Sequence, residues 1–217
     1  MKSQKIGLTA LITLLATVSA PFIPNLTTLL PVPAAFSQQA PSLPPTSKIC
    51  EVLTESMLPN VNINDHVLVN QIAYRSQSPK RGDIIAFKPT QSMEQFLLQE
   101  NVNSLYMRRV IGLPGDTVSV LGGKVYINNQ PLTENYIKDK PNYLFSPVRI
   151  PENSYFVLGD NRNNSYDSHV WGFVTQYDIN GQVVRVVKNQ LELKQTKQRE
   201  VIPKRQEPWS STVCNIY

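Results

Sequence analysis

The feature that most constrains this chain is the spacing of its apolar residues between Lys48 and Val187. They come in short runs of strand length, each cut off by turn-forming residues. Val67-Leu68-Val69, Ile84-Ile85-Ala86-Phe87, Val118-Ser119-Val120 and Tyr155-Phe156-Val157-Leu158 all have strand composition. Gly122-Gly123, between Val118–Leu121 and Lys124–Ile127, is a hairpin signal. Leu113-Pro114-Gly115-Asp116 puts Pro and then Gly at the centre of a type II turn. The one stretch with helical promise, Ser92 to Asn101, is short. The pattern predicts a mainly β body: one folded antiparallel sheet system with inserted hairpins, preceded by an N-terminal apolar segment. With 217 residues, of which 41% are hydrophobic, the chain can bury a core for one such domain.

The body spans residues 48–189, and the segments around it have a different character. Lys2 and Lys5 precede an uncharged stretch from Ile6 to Ile23. A basic start followed by such a run fits a single membrane anchor or a cleaved secretory signal, so residues 1–23 are one or the other. A cut near Ala34-Ala35 would suit the second reading. The charge bias places the N-terminus in the cytoplasm and the body outside it, in a periplasm or lumen. Pro21, Pro24, Pro31 and Pro33 argue against a buried soluble helix. Residues 24–47, rich in Pro, Ser, Thr and Gln, read as an extended tether. Residues 190–217 read as a basic polar tail whose Lys194, Lys197, Arg199, Lys204 and Arg205 face water. The net charge of +5 is mild and has no aromatic-interleaved basic stripe, which suits solubility or an anionic membrane surface, and no nucleic-acid partner is expected.

The two cysteines, Cys50 and Cys214, bracket the body. An oxidising compartment would allow a disulfide between them, stabilising by about 4–5 kcal/mol in the chain-entropy account, and two buried thiols are the alternative. No Cys/His cluster has metal-ligand spacing, so neither a metal nor a cofactor is expected.

Glu55-Ser56-Met57-Leu58-Pro59 is ordinary loop sequence taken alone. It is followed in order by three further segments: Arg81-Gly82-Asp83-Ile84-Ile85-Ala86-Phe87, then Tyr106-Met107-Arg108-Arg109-Val110-Ile111-Gly112-Leu113-Pro114-Gly115-Asp116, and then Gly159-Asp160-Asn161-Arg162-Asn163-Asn164-Ser165-Tyr166-Asp167-Ser168-His169. In order and approximate spacing these four boxes resemble the bacterial type I signal peptidases of the Ser/Lys class, from Lys48 to Val187. Ile63-Asn64-Asp65-His66-Val67-Leu68-Val69 resembles the strand after that family's nucleophile loop. The resemblance implies a sheet system of the signal peptidase type and removal of signal peptides from exported preproteins at small-residue sites.

It also implies roles. Amide hydrolysis by serine needs an activated hydroxyl, an oxyanion site and a proton acceptor. Ser56 matches the nucleophile, and its backbone N–H could serve the oxyanion. Thr54 matches a position that gives a hydroxyl to the oxyanion. Met57 and Pro59 match residues that shape the loop. Ser165 matches the serine that orients the base, and Asp167 the carboxylate that pairs with neighbouring arginines, of which Arg109 is one. Asp160 is a further supporting carboxylate. Strand alternation puts Arg108 and Arg109 on opposite faces, one toward the cleft and one toward the supporting carboxylate. Asp167, Arg109, Gly159 and Asn161 read equally well as structural, and Asp83 and Asp116 as turn residues.

One position departs from the family. Its general base is a lysine where this chain has Arg108. Burial can leave a lysine neutral, whereas a guanidinium stays protonated and offers no lone pair. His169, two residues after Asp167, would be a substitute base if it reached the cleft; His66 is a second, weaker candidate. A water- or substrate-assisted route would be slower by about 10²–10⁴. The resemblance thus implies one of three readings: a slow or specialised signal peptidase, a non-cleaving pseudopeptidase that binds signal peptides or membrane-protein tails, or a structural partner of an active paralogue at the membrane.

Overall fold

The structure, a computed structural model, describes residues 46–94, 104–188, 190–199 and 214–217. The Ile6–Ile23 run and the tether up to residue 45 lie outside the described residues, as does most of the stretch expected to be helical.

The apolar runs become strands. They are β1 (Ser47–Val52), β2 (His66–Asn70), β3 (Ile84–Phe87), β4 (Tyr106–Gly112), β5 (Thr117–Leu121), β6 (Lys124–Ile127), β7 (Gln130–Pro131), β8 (Phe145–Arg149), β9 (Ser154–Leu158), β10 (Val174–Thr175), β11 (Ile179–Val187) and β12 (Cys214–Ile216). Among the described residues they are accompanied by the helices α1 (Gln91–Glu94), α2 (Ser168–Trp171) and α3 (Gln190–Arg199).

Eight strands form one sheet in the order β10-β9-β4-β3-β11-β2-β1-β12, and β7-β6-β5-β8 form a second. Among the described strands every ladder is antiparallel except that of β1 with β12, and the isolated bridge of Leu105 to Ile216 is parallel too. The large sheet curls far enough for Ile216 to bridge Leu105, just ahead of β4. The small sheet is the inserted hairpin system. Its β5–β6 turn runs through Gly122 and Gly123 at φ 59° and 74°, a conformation that glycine adopts without steric cost.

Burial follows the patterning. In β5, Val118 and Val120 are buried and their neighbours are not, the alternation of a strand with one face on a core. All five residues of β9 are buried, in keeping with the unbroken apolar run that follows Ser154. Met57, Val61, Val67, Val69, Met107 and Ile216 share one core cluster, so the segments flanking Ser56 and Arg108 are both pinned by packing. Gly115, at φ 84°, makes the turn in which the Asp116 N–H donates to Leu113 O at 3.0 Å.

The stretch expected as a solvated tail is more structured than its composition suggests. It contributes α3, which buries Leu193 and Thr196, and β12, which adds a strand to the large sheet. Cys50 is disulfide-bonded, with the chain's other cysteine, Cys214, as its partner in the β1–β12 ladder. The two-thiol alternative therefore falls.

Candidate active site

Ser56 lies just past β1, where the chain leaves the sheet for a compact turn. Leu58 N–H donates to Glu55 O at 3.1 Å, and Asn60 and Val61 N–H both donate to Met57 O at 3.0 Å. Met57, fully buried, plugs this turn into the core. A second segment holds it from above. Asn161 N–H donates to Ser56 O at 3.0 Å and Asn161 Nδ2 to Glu55 O at 3.1 Å. Gly159 lets that segment come so close: a Cβ there would sit 2.2 Å from Ser165 Oγ and 2.5 Å from Ser56 O. Among glycines, this one is needed for space rather than for an unusual φ.

Strand alternation separates the two arginines of β4 as expected. Arg108 faces Ser56 and is 4% exposed. Its Nη1 donates to Ser56 Oγ at 2.9 Å, to Met107 O at 2.7 Å and to Tyr217 O at 3.2 Å, while Nη2 donates to Tyr166 O at 2.9 Å. Burial pulls the guanidinium below its ordinary value, and Asp167 and Tyr106 oppose that pull. Every bond that Arg108 makes here is a donation. Thr54 Oγ1 lies 3.1 Å from Ser56 Oγ, with either hydroxyl able to donate.

Arg109 points the other way. Its Nε and Nη2 grip the Asp160 carboxylate at 2.8 and 2.6 Å, its Nη1 reaches Gly82 O at 2.8 Å, and the guanidinium lies 4.2 Å over the Tyr136 ring. Asn60 Nδ2 donates to the same carboxylate at 2.7 Å, tying the Ser56 turn to the ion pair.

One expectation is corrected. Asp167 is not the carboxylate paired with Arg109; Asp160 is. Asp167 instead caps α2, accepts from Gly159 N–H at 3.0 Å and pairs with His169 Nδ1. The reason is local, because a carboxylate just before a helix finds its nearest donors in the first turn and in the neighbouring histidine. His169 does not reach the cleft. Its ring is held by Asp167 and stacked on Tyr143, with centroids 4.1 Å apart. His66 begins β2, opposite Glu51 and Val187 in the ladders, and is not among the residues that line the cavity at Ser56.

A cavity of about 550 Å³ opens at Ser56, lined by Thr54, Ser56, Arg108, Ser165, Tyr166 and Tyr217 among others. Among the described residues, the buried Ser165 Oγ and Arg108 Nε have no hydrogen-bond partner. Glu55, Tyr106, Asn164, Tyr166 and Tyr217 line the cavity without having been given a role from the sequence, and of these Tyr217 lies outside the four boxes, where no local signal marks it.

Comparison with known proteins agrees with the four boxes. Residues 45–188 match the family described as signal peptidase, peptidase S26. A signal peptidase I of Leptolyngbya laminosa is 51% identical over 131 residues, 60% of this chain and 64% of that protein. A probable signal peptidase I of Synechocystis sp. is 46% identical over 128 residues, 59% of this chain and 57% of that one. The matched stretch thus spans less than two thirds of these relatives' length. A crystal structure of a signal peptidase I from Enterococcus faecalis aligns at 32% identity with a TM-score of 0.41, covering 50% of this chain and 98% of that chain.

Proposed function

The chain belongs to the signal peptidase family, peptidase S26, and from that premise we propose a serine endopeptidase for the signal peptides of exported preproteins, with Ser56 as nucleophile and with turnover held low by Arg108. The observation that carries this reading is the 2.9 Å donation from Arg108 Nη1 to Ser56 Oγ. The serine oxygen accepts from a cation that has no lone pair to take its proton. The hydroxyl nearest to Ser56 Oγ is that of Thr54, which is not a base at neutral pH.

The same cation has a second effect. A guanidinium against Ser56 favours an alkoxide and would stabilise the anionic tetrahedral intermediate, to which the Ser56 N–H and the Thr54 hydroxyl would also donate. Proton removal then falls to water, at a rate about 10²–10⁴ below that of a positioned base. Ser165 and the Arg109–Asp160 pair support the loop geometry, and Asp167 holds Gly159 and His169.

In this reading the Ile6–Ile23 run anchors the chain, or directs its export, and the folded body works outside the cytoplasm. The disulfide at Cys50 accords with an oxidising compartment. Among the described residues no helix is long and apolar enough to cross a membrane.

A second reading is a binder that does not cut, alone or beside an active paralogue. The hold of Arg108 on the main-chain oxygen of Tyr217 favours it, because a donor aimed at a main-chain oxygen retains a chain as readily as it promotes attack. The purified protein, incubated with a preprotein carrying an Ala-X-Ala site, tests both readings beside Ser56→Ala. Slow cleavage that Ser56→Ala abolishes supports the peptidase. Equal cleavage by both proteins sinks it, and binding without cleavage by either selects the second reading.

A further inference from the structure

β1 and the start of β4 stand one strand apart, and β12 fills the space between them. On one edge Cys50, Glu51 and Val52 pair in parallel with Cys214, Asn215 and Ile216, and Leu53 N–H extends the ladder to Ile216 O at 3.0 Å. On the other edge Ile216 bridges Leu105 in parallel. There Tyr217 N–H donates to Leu105 O, and Met107 N–H to Tyr217 O, both at 2.8 Å. Ile216 is fully buried in the core cluster that holds Val52, Met57, Val61, Leu105 and Met107. Take this strand away and two unpaired edges face each other across a slot of single-strand width. Such a slot accepts an extended peptide by main-chain pairing.

The direction of the strand matters as much as its place. β1 runs forward into Thr54–Ser56, and Leu105–Met107 runs forward into Arg108. Being parallel to both, β12 is aimed at the reactive serine. One nitrogen marks where it arrives: Arg108 Nη1 donates to Ser56 Oγ at 2.9 Å and to Tyr217 O at 3.2 Å. The Tyr217 carbonyl is thus held by the guanidinium that holds the serine, where the carbonyl of a peptide entering the slot would stand. The disulfide between Cys50 and Cys214 ties the strand to the wall of the slot it fills.

We infer that Cys214–Tyr217 is a disulfide-latched occupant of the chain's own peptide slot, and that an extended peptide reaches Ser56 only after this strand leaves. The inference rests on the peptide-directed reading of the cleft for the identity of the competitor, but not for the seat of the strand. The latch keeps the strand at an effective concentration in the millimolar range, so a free peptide competes poorly while the bond is intact. Dithiothreitol opens it by delivering two electrons and two protons to the S–S bond, leaving two thiols and its own cyclic disulfide. Because Cys50 is fully buried, Cys214→Ser is the cleaner way to unlatch.

The test uses the full chain as wild type, as Cys214→Ser, and as Ile216→Asp, which keeps the disulfide but removes the apolar anchor. Amide hydrogen exchange is followed at Leu53 and Met107, which donate to β12, and at Val110, which donates to Asp83 O and reports on the fold itself. In parallel, a fluorescent synthetic peptide containing Ala-X-Ala is titrated by anisotropy. The expected result is that both variants exchange Leu53 and Met107 about tenfold faster or more, leave Val110 protected, and bind the peptide about tenfold more tightly. If Cys214→Ser also exposes Val110, the fold has opened and Ile216→Asp decides. Unchanged exchange and unchanged peptide affinity in Ile216→Asp overturn the inference, as does peptide binding to wild type with Leu53 and Met107 still protected. Faster exchange at those two amides with no peptide binding supports the latched strand and removes the peptide-directed reading of the cleft.

Discussion

Arg108 Nη1 donates to Ser56 Oγ at 2.9 Å, so a buried cation sits on the oxygen that a base would have to deprotonate. Main-chain oxygens of Met107, Tyr166 and Tyr217 accept from the guanidinium's Nη1 and Nη2, its buried Nε has no partner among the described residues, and Asn161 fixes the serine backbone. The serine oxygen thus accepts from a donor that has no lone pair to take its proton.

Gly159 makes the first test of that order. A methyl group there would meet both Ser165 Oγ and the Ser56 carbonyl at well under van der Waals distance. Gly159→Ala should cost about 1–3 kcal/mol, because the Ser56 loop has to shift to admit it. Urea unfolding measures the loss. A variant as stable as wild type would mean that the loop is not held against this segment.

The Arg109–Asp160 pair predicts a larger effect. The Asp160 side chain is wholly buried and its two oxygens are gripped by one guanidinium. Arg109→Met strands the carboxylate and should destabilise by about 3–5 kcal/mol. Adding Asp160→Asn removes the stranded charge and should recover part of that loss, which a double-mutant cycle reads directly. Full additivity of the two changes would contradict the pairing.

Asp116 gives a pH dependence. Burial by itself would raise its carboxyl, but the Leu113 N–H, Asn128 and Arg81 together hold it below its ordinary value of 3.8. The unfolded chain therefore binds this proton more tightly than the folded one. The stabilisation is full above pH 3.8 and is lost as pH falls through the lower folded value. Unfolding free energy measured from about pH 6 down to about pH 3 should fall more steeply for wild type than for Asp116→Asn. Parallel curves would remove Asp116 from the acid response.

Much of this molecule was legible in the sequence, and the exceptions share a cause. Ile84–Phe87 is β3 as expected, the Gly122-Gly123 hairpin formed, and the opposed faces of Arg108 and Arg109 follow from strand alternation alone. These depend on neighbours a few residues apart. The choice between Asp160 and Asp167 as partner of Arg109 depends on which carboxylate the fold carries across from the next box, and no local pattern encodes that. β12 is harder still. Three residues in a polar, basic stretch acquire strand structure only because two distant edges flank them.

In the peptidase reading proposed for this cleft Ser56 is placed to react but lacks a base, and the decisive experiment restores one. Single-turnover cleavage of an Ala-X-Ala preprotein should be compared for wild type and Arg108→Lys, at equal protein and at mildly alkaline pH. A lysine in this buried seat can shed its proton and accept that of Ser56, so the variant should cut faster by about 10²–10⁴. A wild-type rate equal to or above that of Arg108→Lys would contradict the account, because Ser56 would then be activated by a group other than the one missing at position 108.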